Sequence, residues 1–99
     1  MRTTSWYASY VLGEIMWTED SEAHIARHGV TPDEVEEGLY ARPRWIDRGR
    51  AGTTVVWCTT AAGRYLMVVV IDGPDGRDFI VTARDMDDAE RKRFRRKAR

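Results

Sequence analysis

The chain holds a single cysteine, Cys58, so no disulfide can close within it. That usage points to a reducing compartment, and the sequence reads as cytoplasmic. Long apolar runs are missing too. The longest, "YLMVVVI" at 65–71, is about a third of what a bilayer span requires, so no membrane partner is expected. The opening "MRTTSWYASYVLGEI" carries one cation and no clean apolar stretch, so no secretory signal is read there. Histidine is scarce, limited to His24 and His28, and neither internal repeats nor low-complexity linkers occur.

What is present suits one packed domain. The chain has 99 residues, 42% of them hydrophobic and 32% charged, and its four tryptophans can supply much of a core. Residues 1–10 read as a weakly ordered N-terminal arm and 11–99 as a single domain. The formal net charge of zero hides an asymmetry. All sixteen acids precede residue 91, and they leave the first ninety residues at about −7. The last nine residues, "RKRFRRKAR", hold seven cations and no acid. Such an end can grip phosphates or an acidic partner. It can equally be a solvated helix end whose cations suit the helix macrodipole.

"VLGEIMW" (11–17) is apolar enough for a first strand, with Gly13 as a bulge. Thr18 or Asp20 opens a short helix that Gly29 ends, since glycine adopts the left-handed backbone at little cost. Thr31-Pro32-Asp33-Glu34 is a capping box with proline in the first turn, which starts a second helix. From residue 43 the apolar period becomes strand-like. Segments 44–49, 53–60, 64–72 and 77–84 are separated by "RAG", "AAG" and "GPDG", which are turn sequences. The third segment is apolar on both faces and should be the central strand. "MDDAERKRFRRKAR" then reads as a helix with Asp87 as N-cap and Glu90 three residues on. The expected class is α+β: a mainly antiparallel meander with two helices in the N-terminal half and one at the C-terminus, in the order β-α-α-β-β-β-β-α.

Several groupings invite a chemical reading. His24 and His28 share a helix face at metal-ligand spacing, but Ile25 stands where a metalloprotease helix carries glutamate and no third ligand follows, so no metal is expected. Cys58 sits in an apolar strand and reads as a packing residue. "GPDG" precedes a strand, so it lacks the helix N-terminus that would hold a phosphate. The arginines say more. If "GPDG" closes a hairpin, Asp72 pairs near Arg77, and Arg64 falls opposite Arg84 or Asp85. Two guanidinium groups at one hairpin end make either a phosphate clamp or, with Asp85, an ordinary surface ion pair.

"MWTEDSEAHIARHGVTPDEVEEGL", "GRYLMVVV" and "FIVTARDMDDAERKRF" together resemble BrnT-like toxins over residues 14–96. The shared features are a strand ending in tryptophan and acid, a basic-His-Gly-Val hinge, a Gly-Arg strand start and an Ala-Arg strand end before a helix. The resemblance implies a RelE-like ribonuclease fold and the toxin of a type II toxin–antitoxin pair. Such a protein cuts RNA by 2′-hydroxyl attack on the adjacent phosphate, with no metal or cofactor. A cognate antitoxin neutralises it, and operator DNA is met only through that antitoxin. The implied RNA substrate is taken on or off the ribosome.

Carried onto this chain, Arg64 and Arg84 match the strand arginines and would stabilise the phosphorane, where electrostatic help is often the largest contribution. His28 matches the hinge histidine and is a candidate acid or base; its structural alternative is a residue that closes the helix. Arg77, Arg91, Lys92 and Arg95 would contact RNA or the partner. The chain departs from the family at Asp85, where a second basic residue is common, at Phe94, where tyrosine is usual, and in its acidic body. The alternative function is a non-catalytic binding module of the same fold that engages a protein or DNA.

Overall fold

A computed structural model of the chain describes residues 12–99. The expected N-terminal arm, 1–10, and Val11 of the expected first strand lie outside the described residues. The elements are β1 (Ile15–Met16), α1 (Glu19–Ala26), α2 (Pro32–Tyr40), β2 (Trp45–Arg48), β3 (Thr54–Thr59), β4 (Tyr65–Asp72), β5 (Asp78–Asp85) and α3 (Asp88–Lys97). The class is α+β, in the order expected from sequence.

Local chemistry sets the helix limits. Thr18 caps α1, its hydroxyl accepting the Ser21 amide at 3.0 Å while the Ser21 hydroxyl accepts the Thr18 amide. Gly29, at φ +71°, turns the chain out of that helix. Thr31 and Glu34 form the reciprocal box that opens α2, and Asp87 and Glu90 do the same for α3.

The sheet runs β1-β5-β4-β3-β2, with β4 at its centre. Strands β2 to β5 form an antiparallel meander, and β1 adds to β5 in parallel, with Ile15 opposite Asp78. Gly13 is not the bulge. The register slips instead between Val69 and Val70, where Val81 is the extra residue on β5. Gly13 serves close approach: its amide donates to the buried Asp78 carboxylate at 2.6 Å, and a Cβ there would stand 2.3 Å from the Gly76 carbonyl. "RAG" and "GPDG" make short 3-10 turns with Ala51 and Asp75 in the left-handed region.

Each sheet face carries its own core. On the first, Ile25, Val30, Val35 and Leu39 from the α1–α2 layer pack on Val56, Leu66, Val68 and Ile80. Burying each such side chain contributes about 1.5–3 kcal/mol. On the second, Met86 and Phe94 pack on Tyr65, Met67, Trp57 and Trp45. Helix α3 reaches that face because the chain reverses at the end of β5. Arg44 and Arg99 exchange both backbone hydrogen bonds at 3.1 Å, which ties the last residue beside the start of β2.

Candidate functional site

Arg64 follows the "AAG" turn, where Gly63 at φ +89° brings the chain round. The Thr60 hydroxyl accepts the Arg64 amide at 3.0 Å, which fixes the root of the side chain. Its guanidinium then reaches four groups. Nε and Nη2 hold the Asp85 carboxylate at 2.7 and 3.1 Å. Nη1 donates to Glu34 Oε1 at 3.1 Å and to the Gly29 carbonyl at 2.8 Å, and Nη2 donates to the His28 carbonyl at 3.3 Å. Sequence reading took Glu34 only as a capping residue, and that role already accounted for it, so no signal marked it as an arginine partner.

The electrostatics follow from these contacts. Asp85 first, and then Glu34, push the Arg64 guanidinium further above its ordinary range, against some desolvation. In return, the Arg64 hydrogen bond holds the Asp85 carboxyl below the usual carboxylate range. Glu34 is lowered too, mainly by the Thr31 backbone amide and then by Arg64.

Arg84 sits in a different environment. Both its terminal nitrogens donate to Glu90, each at 2.9 Å, and Nη1 also donates to the Asp85 carbonyl at 2.9 Å. Arg84 is paired with Met67 in the ladder and Asp85 with Leu66. Met67 belongs to the α3 side and Leu66 to the α1–α2 side. The two arginines therefore share one end of the hairpin but serve opposite faces of the sheet. Asp85 stands between them, giving its carboxylate to Arg64 and its carbonyl to Arg84. The ion pair weighed against a clamp is thus present, as Arg64–Asp85. The expected register, with Arg64 opposite Arg84 or Asp85, does not hold. The strands pair Asp72 with Asp78 and, after the slip at Val69/Val70, Asp85 with Leu66, so Arg64 lies beyond the last paired residues.

The other candidates fall into two groups. His28 is exposed at the end of α1, with its ring centroid 6.0 Å from that of His24. Among the described residues, no group of three His, Cys, Asp or Glu is placed to hold a metal ion. Arg77 lies at the opposite end of β5, beside Met16 Sδ at 3.6 Å and Asp75 at 3.8 Å. Arg91 pairs with Asp88 and, like Arg95, stands over the Tyr65 ring, at 5.9 and 5.4 Å; Lys92 is exposed.

Two further cations of the basic C-terminal run lie over tryptophans, partners that the sequence reading did not assign. Arg93 lies 5.6 Å over Trp57 and 5.9 Å over Trp45, and Lys97 lies 5.2 Å over Trp45. The rings of Trp45 and Trp57 stack at 5.7 Å. The legible signal was the i,i+4 spacing of 91 with 95 and of 93 with 97, which sends each pair to one aromatic patch. Cys58 is fully buried, and burial pushes its thiol up to about 12, which leaves it inert. No helix among the described residues is long and apolar enough to cross a membrane. Comparisons of the chain with family models, with curated proteins and with solved structures find no match.

Proposed function

We propose that the chain is the toxin of a type II toxin–antitoxin pair, a BrnT-like protein of RelE-like fold that cleaves RNA without a metal, weakly or with the ribosome's help. One observation carries this reading. The three segments of the resemblance are far apart in sequence, yet they meet at Arg64. The Gly-Arg strand start supplies the guanidinium, the hinge supplies the carbonyls of His28 and Gly29, and the Ala-Arg strand end supplies Asp85 beside Arg84.

The chemistry needs few parts. A 2′-hydroxyl loses its proton and its oxygen bonds to the neighbouring phosphorus. The P–O5′ bond breaks, and O5′ leaves with a proton. His28, exposed at the hinge, is the group of this chain suited to move one of those protons. Arg64, on the His28 side of the sheet, carries positive charge for the phosphorane, and Arg84 adds to it by turning from Glu90 around the shared hairpin end. To bind phosphate, Arg64 releases Asp85, whose side chain is 60% exposed and is solvated by water once released.

A second reading, a binding module without catalysis, draws on the same geometry. Every nitrogen of the Arg64 guanidinium, and both terminal nitrogens of Arg84, already face carboxylates or carbonyls. Induced expression separates the two. Wild type should slow growth and shorten cellular RNA, and purified protein should leave 2′,3′-cyclic phosphate ends in the presence of a chelator. Wild type that does neither overturns the ribonuclease reading. A double variant, Arg64→Ala with Arg84→Ala, that stays toxic overturns the arginine assignment.

A further inference from the structure

Helices α1 and α2 cover the centre of the first face of the sheet, where Val56, Leu66 and Val68 have no exposed surface. Helix α3 covers only one end of the second face. Beyond Phe94 that face is only partly covered, and Val55 and Val69 there are half-buried. Val55 and Val69 stand opposite each other in the β3–β4 ladder, and Ile71, two residues further, is 39% exposed. A groove of about 400 Å³ opens here, lined by Arg50, Thr53, Val55, Trp57, Met67 and Val69.

The groove itself is apolar, and two cations stand at its margins. Arg93 stands over Trp57 where α3 borders it, and Arg50 lines it from the turn between β2 and β3. Among the described residues no carboxylate lies within ion-pair distance of either arginine. Glu90, the acid that Arg93 influences, has its carboxylate committed to Arg84. Asp47, opposite Val55 on the edge strand, is an acid of this face; its carboxylate accepts the Arg48 amide, so the acidic flanks of a ligand lie toward Arg50 and Arg93 and away from that edge. One further group is left over: Trp57 Nε1 is buried with no hydrogen-bond partner among the described residues.

Nucleic acid matches this surface poorly. Bases stack on exposed rings, and Trp57 is only 8% exposed, beneath Arg93. The rest of the floor is valine and methionine, against which a phosphate would lose its water. An amphipathic protein segment with acidic flanks matches both the apolar floor and the cationic margins. We propose that this groove is the docking surface for an acidic amphipathic segment of a protein partner. Its apolar side chains lie on Val55 and Val69, and its carboxylates meet Arg93 and Arg50. The inference rests on the partner half of the reading above and is independent of RNA cleavage.

The test uses the full chain and a designed helical peptide of about four turns, with leucine on one stripe and glutamate elsewhere. A second peptide carries lysine for glutamate. Calorimetry should show the glutamate peptide binding at least about tenfold more tightly than the lysine peptide. Reversing both charges, Arg50→Glu with Arg93→Glu, should reverse that preference, and Ile71→Glu should weaken the glutamate peptide. Circular dichroism confirms that each variant is folded. Equal binding of the two peptides, no binding of either, or a preference unmoved by the charge reversal overturns the proposal. So does an RNA oligonucleotide that competes the peptide off the groove, or sedimentation showing that a second copy of the chain occupies it. None of these results bears on growth arrest or RNA ends, so failure here is distinct from failure of the ribonuclease reading.

Discussion

Arg64 and Asp85 meet side-on, with Nε to Oδ1 at 2.7 Å and Nη2 to Oδ2 at 3.1 Å. The same guanidinium holds Glu34 and the carbonyls of His28 and Gly29. Arg64 therefore joins the α1–α2 hinge, the start of α2 and the end of the β4–β5 hairpin. An exposed ion pair alone contributes about 0–1 kcal/mol. Hydrogen bonds to charged groups contribute more, about 1.5–3 kcal/mol. Arg64→Ala should cost about 2 kcal/mol in urea denaturation and lower the Tm by about 8–16 °C. Arg64→Lys should recover less than half of that, because one ammonium cannot span both carboxylates and both carbonyls. A lysine variant as stable as wild type would show that the planar fork is immaterial.

Stability should fall on acidification, and the sign follows from four carboxyls. Glu34, Asp85 and Glu90 sit below their ordinary range, through the Thr31 amide, Arg64 and Arg84 respectively. For each, the stabilisation is complete above the unfolded-state value and is lost as pH drops through the lowered folded value. Asp78 has the opposite sign, because burial raises it and its contribution is lost as pH rises through that raised value. Three groups outweigh one, so the urea midpoint should drop between about pH 5 and pH 2. In Arg64→Ala the decline should be shallower, since Asp85 loses its main partner while Glu34 keeps the Thr31 amide. An equal decline in both proteins would remove Arg64 as its source.

Element order and helix limits were legible because short-range chemistry sets them: Thr31 with Glu34, Asp87 with Glu90, and glycine at 29. The placement of β1 was not. An edge strand of two residues takes its partner from the tertiary contact of Gly13 with Asp78, sixty-five positions away. The slip at Val69/Val70 was hidden for a related reason: β4 is apolar on both faces, so its pattern does not report register. For the site, the Arg64–Asp85 ion pair was one of two alternatives that hairpin pairing left open, and it forms although Asp85 pairs with Leu66 in the ladder. The assignment of Arg84 to the other face, with Glu90, needed the path of α3. The partly covered half of the second face was invisible because the sequence does not say how far α3 reaches.

Gly38 sets how closely α2 approaches the sheet. A Cβ there would stand 2.5 Å from Cys58 Sγ and 3.3 Å from its Cβ. On an exposed helix, Gly→Ala would stabilise by about 1 kcal/mol. Here overpacking costs about 1–3 kcal/mol, so Gly38→Ala should be destabilising on balance. Cys58→Ala with Gly38→Ala should relieve the clash and show favourable coupling in a double-mutant cycle. Additive effects would mean that the helix moves aside freely. In the wild type, a thiol reagent should label Cys58 only as fast as the protein unfolds, given its burial and raised pKa.

Glu90 serves two partners at once, accepting the Asp87 amide at 2.9 Å within the α3 capping box and both terminal nitrogens of Arg84. Glu90→Gln keeps an acceptor for the cap and removes the charge that occupies Arg84. Arg84→Ala removes the same ion pair from the other side. Both variants should therefore lose a similar amount of stability, about 1 kcal/mol for a pair that is partly exposed. On the proposed ribonuclease reading, their effects on RNA cleavage should diverge. If Arg84 supports the phosphorane, Arg84→Ala lowers the rate by about 10²–10³-fold. Glu90→Gln holds or raises it, because the guanidinium is then free to turn toward phosphate. Single-turnover cleavage, with circular dichroism to confirm the fold, reads both. Equal losses in the two variants would make the Arg84–Glu90 pair a structural strut and leave the chemistry to Arg64.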